Sequence, residues 1–204
     1  MSNQYDGLNA GYSGPRVALP PDKYGNSASP ALRVVSYIGA RGTKDPDLTR
    51  HSLLVAGTNG VDGTAFLAIQ LKKAWLTDEA ISLAFNKGEP LPTTTAQNVA
   101  TAKQFFVEDA VATLKRNNTP ADQVTPALIE STYDKIMTRI RIDVGTIFRL
   151  QDWMGVERNP QVSLGTLVGA DFSGEVEAGQ PNKEGDPTSQ VKSVYSRKQT
   201  RASA

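Results

Sequence analysis

Cations and aromatic rings are interleaved along three separated stretches of this 204-residue chain. The first holds Arg33, Tyr37, Arg41, Lys44 and Arg50, the second Phe66, Lys72, Lys73 and Trp75, and the third Lys192, Tyr195, Arg197 and Lys198. Every nucleic-acid base has a face that can stack on an aromatic ring, and cations can follow the phosphates. The mixture therefore suits an unpaired strand. The candidate contact residues are Arg33, Tyr37, Arg41, Lys72 and Trp75, with Lys192 in addition. The plainer account is that Tyr37, Phe66 and Trp75 are simply core; repetition of the same mixture on three strands favours contact.

Residues able to do covalent chemistry are few. His51 is the sole histidine, at the start of an apparent strand with no nucleophile to pair with it, which suggests a surface or structural role. Cysteine is absent, excluding disulfides, thiolate chemistry and cysteine-bound metal. A single histidine and no carboxylates at calcium-loop spacing leave no metal site. The string Gly57-Thr58-Asn59-Gly60-Val61-Asp62-Gly63 has the composition of a phosphate cradle but lacks the Gly-Lys-Ser/Thr ending. A hairpin turn accounts for it. Adjacent acids such as Glu108 and Asp109, or Asp78 and Glu79, point different ways on a helix. The expectation is a non-catalytic protein without a cofactor.

The elements that must position the contact residues follow from periodicity. Residues 31–38 read as a strand with Leu32, Val34 and Ile38 on one face and Arg33, Val35 and Tyr37 on the other. A turn-rich link covers 39–49, then come strands at 51–56 and 64–71, joined through glycines and Asn59 that suit positive φ. Near the end, Phe172, Gly174, Val176 and Ala178 alternate with Asp171, Ser173, Glu175 and Glu177, a period-two strand. It closes through a long polar, mobile loop onto QVKSVY, forming a hairpin. This hairpin needs a sheet, and the earlier strands lie far upstream, so the two ends of the chain must meet.

Between them the period becomes helical. Thr77, Asp78 and Glu79 start a short helix reaching Phe85. Thr94 or Thr95 caps a second, running to about Arg116, with Val99, Ala102, Phe106, Ala110 and Leu114 on one stripe. Thr125 and Pro126 form an N-cap and first-turn pair for the next. A further amphipathic segment with Val144, Ile147, Phe148, Leu150 and Met154 ends at Gly155. The fold class expected is α+β, an OB-like partly open β-barrel with a helical insertion. Its parts are an extended N-terminal arm at 1–30, β segments at 31–75 and 164–195, a helical section at 76–158 and a flexible basic tail at 196–204. The arm would touch the body at Tyr5, Leu8, Tyr12, Val17, Leu19 and Tyr24.

The net charge of +1 creates no bulk field for a polyanion, but its distribution is uneven. Residues 171–186 hold five acids against one base, and 190–204 hold four bases and no acid. A solvated loop and a frayed tail would give the same pattern. No apolar run approaches the length of about 18 residues needed to cross a bilayer, and no signal-peptide pattern opens the chain. A soluble, cytoplasmic protein with no membrane partner is expected.

The opening YDGLNAGYSG, the LPPDKY before the first strand, and LVGADFSGEVEAG with PTSQVKSVY resemble phage-encoded single-stranded-DNA-binding proteins built on an OB fold. The resemblance implies a five-stranded, partly open barrel whose exposed face carries the ligand. It also implies a role in DNA replication or recombination within the host cytoplasm, with replication or recombination proteins as partners. Two features depart from that family: the helical section is long, and the tail SRKQTRASA is basic where many single-strand binders end in acids. The main alternative is a virion structural or assembly protein that self-associates through its arm and helices, as a homo-oligomer. A third reading, an inhibitor of a host enzyme, has no sequence feature to carry it.

Overall fold

The computed structural model describes residues 17–198. It is a mixed α+β structure with a seven-stranded sheet curled into a half-barrel and three helices. The anchors Tyr5, Leu8 and Tyr12 of the expected arm, and the last residues of the basic tail, lie outside the described residues. The described chain divides into two compact units, 17–70 with 146–198 and Leu71–Gly145.

The first unit is organised by the sheet. Its strands are β1 (Asp22–Tyr24), β2 (Leu32–Gly42), β3 (Leu48–Gly57), β4 (Thr64–Lys72), β5 (Asp171–Phe172), β6 (Gly174–Ala178) and β7 (Ser189–Val194). Their spatial order is β1-β6-β7-β4-β3-β2-β5. The late hairpin pairs antiparallel, from Gly174 opposite Val194 to Ala178 opposite Ser189. It is inserted between early strands: β6 against β1, and β7 parallel to β4 with Phe66 opposite Gln190. β5 pairs with β2, Leu32 opposite Phe172. The two ends of the chain do meet. Both edges of the sheet are strands of only two or three residues, a length that discourages pairing with another sheet.

Alternation decides which side chains the sheet buries. Leu32, Val34, Val55, Ile69, Phe172 and Val176 are buried, while Arg33 and Phe66 between such positions are exposed. The link expected at 39–49 is shorter than that: β2 and β3 run on to Gly42 and from Leu48, so only the turn between them is irregular. After two register shifts, at Val34/Ser36 and Tyr37/Gly39, pairing continues from Ala40 opposite His51 to Gly42 opposite Thr49.

Residues 17–30 are stitched in rather than loosely attached. Thr64 N–H donates to the Val17 carbonyl at 2.7 Å, Leu19 N–H to the Thr64 carbonyl at 3.0 Å, and Ser173 Oγ to the Asn26 carbonyl at 2.6 Å. Gly63 permits this crossing: it has φ +131°, and a Cβ there would lie 3.0 Å from the Val17 carbonyl oxygen.

The second unit contains α1 (Asp78–Phe85), α2 (Ala96–Arg116) and the first part of α3 (Pro126–Met154). The caps fall at expected threonines, with Thr95 rather than Thr94 opening α2. Thr77, Thr95 and Thr125 hydroxyls accept from the backbone N–H of Ala80, Asn98 and Leu128 at 3.2, 3.2 and 3.3 Å. Val99, Phe106, Ala110 and Leu114 form the buried stripe of α2. The amphipathic segment around Val144–Met154 is not a separate helix, since α3 runs unbroken from Pro126. Its last turns belong to the sheet unit. Trp153 explains this: its Nε1–H donates to the Tyr195 carbonyl at 2.8 Å, fastening the end of α3 to the end of β7.

Candidate nucleic-acid interface

The six residues singled out by the sequence fall into three physical situations. Arg33 and Lys192 sit on strands of the sheet unit in exposed ion pairs. Arg33 makes a two-pronged contact with Asp171, Nε and Nη2 donating at 2.6 and 2.7 Å, and Lys192 Nζ lies 3.0 Å from Glu175. In each case the hydrogen bond to the carboxylate, and then its charge, raises the pKa of the cation. Ion pairs in solvent contribute little to stability, so either cation can exchange its carboxylate for a phosphate at little cost.

Lys72 and Trp75 are in the other unit, and both are enclosed. Lys72 Nζ lies 2.9 Å from Asp109 Oδ2, with both side chains largely shielded from water. Separating a buried pair of this kind costs about 3–5 kcal/mol, because one charge is left behind uncompensated. Trp75 is 4% exposed, so neither face of its ring is open to a base. Its indole nitrogen is buried with no hydrogen-bond partner. For Trp75 the core reading of the sequence describes the geometry, and for both residues the contact expectation finds no accessible surface.

Tyr37 and Arg41 lie on the ribbon formed by β2 and β3, the element on which accessible cations concentrate. Arg41 is directly opposite Arg50, and both are exposed. Residues directly opposite on antiparallel strands project from the same face, and like charges there repel. Lys44 is exposed in the intervening turn, along with Asp47, while Asp45 is half-buried. At the base of the ribbon Tyr37 and His51 are half-buried, their rings stacked at 6.1 Å between centroids, with the Tyr37 hydroxyl 2.9 Å from His51 Nδ1. Burial raises the Tyr37 pKa and lowers that of His51, keeping both neutral near pH 7.

The structure therefore brings Tyr37 and Arg41 together with Arg50, Lys44 and His51. Arg33 lies further along the same strand and Lys192 on β7. His51 acquires a place in this cluster that periodicity did not reveal; the signal was its position next to Arg50. Among the described residues no group of three His, Cys, Asp or Glu side chains could hold a metal ion, and no helix is long and apolar enough to cross a membrane. No protein-family model, curated protein or solved structure matches the chain.

Proposed function

We propose that the protein is a non-catalytic single-stranded-DNA-binding protein of OB-like type, with the β2–β3 ribbon as its main contact element. One observation carries this reading: Arg41 faces Arg50 across an exposed ribbon, with Lys44 in the turn and the Tyr37–His51 pair at the base. The two guanidinium groups place positive charge side by side along the ribbon, where a phosphodiester strand is attracted. The partly open, curled sheet is compatible with an OB-like ligand face. Replication or recombination in a phage-infected cell enters through the family resemblance alone.

The test is anisotropy of labelled oligo-dT with the wild-type chain and an Arg41→Gln/Arg50→Gln variant. Wild type binds, and the double variant binds about tenfold or more weakly, with a shallower salt dependence by about 1.4 in log–log slope. Equal binding by the two proteins sinks the ribbon assignment, and no binding by wild type sinks the function.

A self-associating assembly subunit is the second reading. It is favoured by Phe105 on α2 and Ile142 on α3, which are 51% and 50% exposed. Sedimentation mass that grows with protein concentration, together with absent oligo-dT binding, would select it.

A further inference from the structure

Arginine collects at a second place in the sheet unit, the C-terminal end of α3. Arg158 grips Asp152 through Nε and Nη2, at 2.9 and 2.8 Å from the two carboxylate oxygens, with its guanidinium 5.6 Å from the Phe148 ring centroid. Arg197 donates through Nη1 to the Asp152 and Trp153 carbonyls at 3.2 and 3.1 Å, and lies 5.9 Å from the Trp153 ring. A cation is well placed at those terminal carbonyls. Arg149, one turn before, donates Nη2 to Thr146 Oγ1 at 3.1 Å, but its Nε is buried with no partner. Burial is the main influence on this guanidinium and lowers its pKa; Asp152 offsets that in part, and Arg158 adds to it.

The Asp152 carboxylate is thus held by two nitrogens of Arg158 and acts on Arg149 through its charge, while Arg197 is bound to the main-chain carbonyls beside it. Glu157 is the next acid along the chain and is exposed. A buried donor without an acceptor costs stability, and a half-buried cation beside another cation costs more. A methionine would fill the stem of Arg149 without either penalty, losing only the bond to Thr146. Guanidinium donors are suited to phosphate oxygens, which they bind in pairs.

We infer that Arg149, Arg158 and Arg197 form a second, oxyanion-binding site for phosphate-class ligands at the end of α3. Resting on the reading above, its source is a phosphodiester of the same bound strand. Arg149 and Arg158 supply the donors, while Arg197 also locks the helix end to the segment after β7.

The experiment uses the full chain, wild type and Arg149→Met, with inorganic tripolyphosphate followed by thermal melts and oligo-dT by anisotropy. Ligand-free Arg149→Met melts higher than wild type. Tripolyphosphate raises the wild-type Tm and leaves the variant's unchanged. Oligo-dT binds the variant about tenfold more weakly, with a salt slope shallower by about 0.7. Arg149→Lys keeps the charge but loses the forked donors, and recovers only part of both responses.

A ligand-free Arg149→Met that melts lower than wild type makes the arginine structural and overturns the site. So does a wild type indifferent to tripolyphosphate whose oligo-dT affinity is unaltered by Arg149→Met, although the ribbon reading then stands. Should wild type fail to bind oligo-dT yet respond to tripolyphosphate through Arg149, the function reading falls. The oxyanion site then remains, with free polyphosphate as its ligand.

Discussion

At the scale of single residues, what a side chain can touch depends on what covers it. Trp75 and Tyr37 both sit among cations, but only Tyr37 retains accessible surface. Trp75→Ala should lower stability in urea unfolding by about 3–5 kcal/mol, the cost of emptying a packed aromatic site. Trp75→Phe should cost far less, since it also removes an unpartnered indole N–H. Neither should change oligo-dT affinity per folded molecule; a loss of affinity at unchanged stability would show the ring to be a contact. His51 makes a second prediction. Its folded pKa lies below the ordinary 6.5 because of burial, so the unfolded chain takes up the proton first. Stability is full above about pH 6.5 and declines as pH falls below it, towards the depressed folded value. As this is the only histidine, His51→Gln should flatten the urea midpoint over that window while wild type declines. No pattern in the sequence could separate Trp75 from Tyr37, because cation and ring are adjacent in both and the deciding quantity is what covers them.

Elements were more readable, because their signals are local. Thr77, Thr95 and the Thr125-Pro126 pair mark helix starts through bonds made within one turn, and all three are found. The join inside α3 was not readable: the segment with Val144, Ile147, Phe148, Leu150 and Met154 reads as a further amphipathic element, yet it continues the helix that starts at Pro126. There a helix passes from one set of neighbours to another, so its apolar stripe changes without any backbone interruption. The ribbon illustrates a different limit. Its strands could be seen, but the opposition of Arg41 and Arg50 depends on two register shifts that period-two reading cannot place. That opposition yields a test at its own scale. Arg50→Glu places a carboxylate opposite Arg41, a cross-strand pairing that should stabilise the chain by about 0.2–1 kcal/mol. The same change should weaken oligo-dT binding by about tenfold or more, by replacing a cation with an anion on the contact ribbon. Stability and affinity moving in opposite directions is the expected signature. Both falling together would mean that Arg50 supports the hairpin itself.

Across the whole molecule, the sequence required the late hairpin to join the early strands, but not how. Insertion of β6 and β7 between β1 and β4, with β5 on the opposite edge, follows from long-range pairing that leaves no local trace. The same holds for 17–30, whose few apolar anchors understate a segment secured mainly by backbone hydrogen bonds. Charge is the whole-molecule property that bears most directly on function. With a net charge of only +1, affinity for DNA cannot come from a general field and must come from local cations. On the ribbon Arg41, Lys44 and Arg50 are exposed, and on the neighbouring strands Arg33 and Lys192 can exchange their carboxylates for phosphates. Each phosphate neutralised on a single strand contributes about −0.7 to the slope of log K against log salt. Three to five contacts therefore predict a slope of about −2 to −3.5 for oligo-dT, measurable by anisotropy between low and physiological salt. Glu175→Gln should release Lys192 from its partner and steepen the slope, if that lysine reaches the strand. A slope near zero would mean that the basic ribbon faces no phosphates, and the exposed apolar side chains of α2 and α3 would then be the surfaces to pursue.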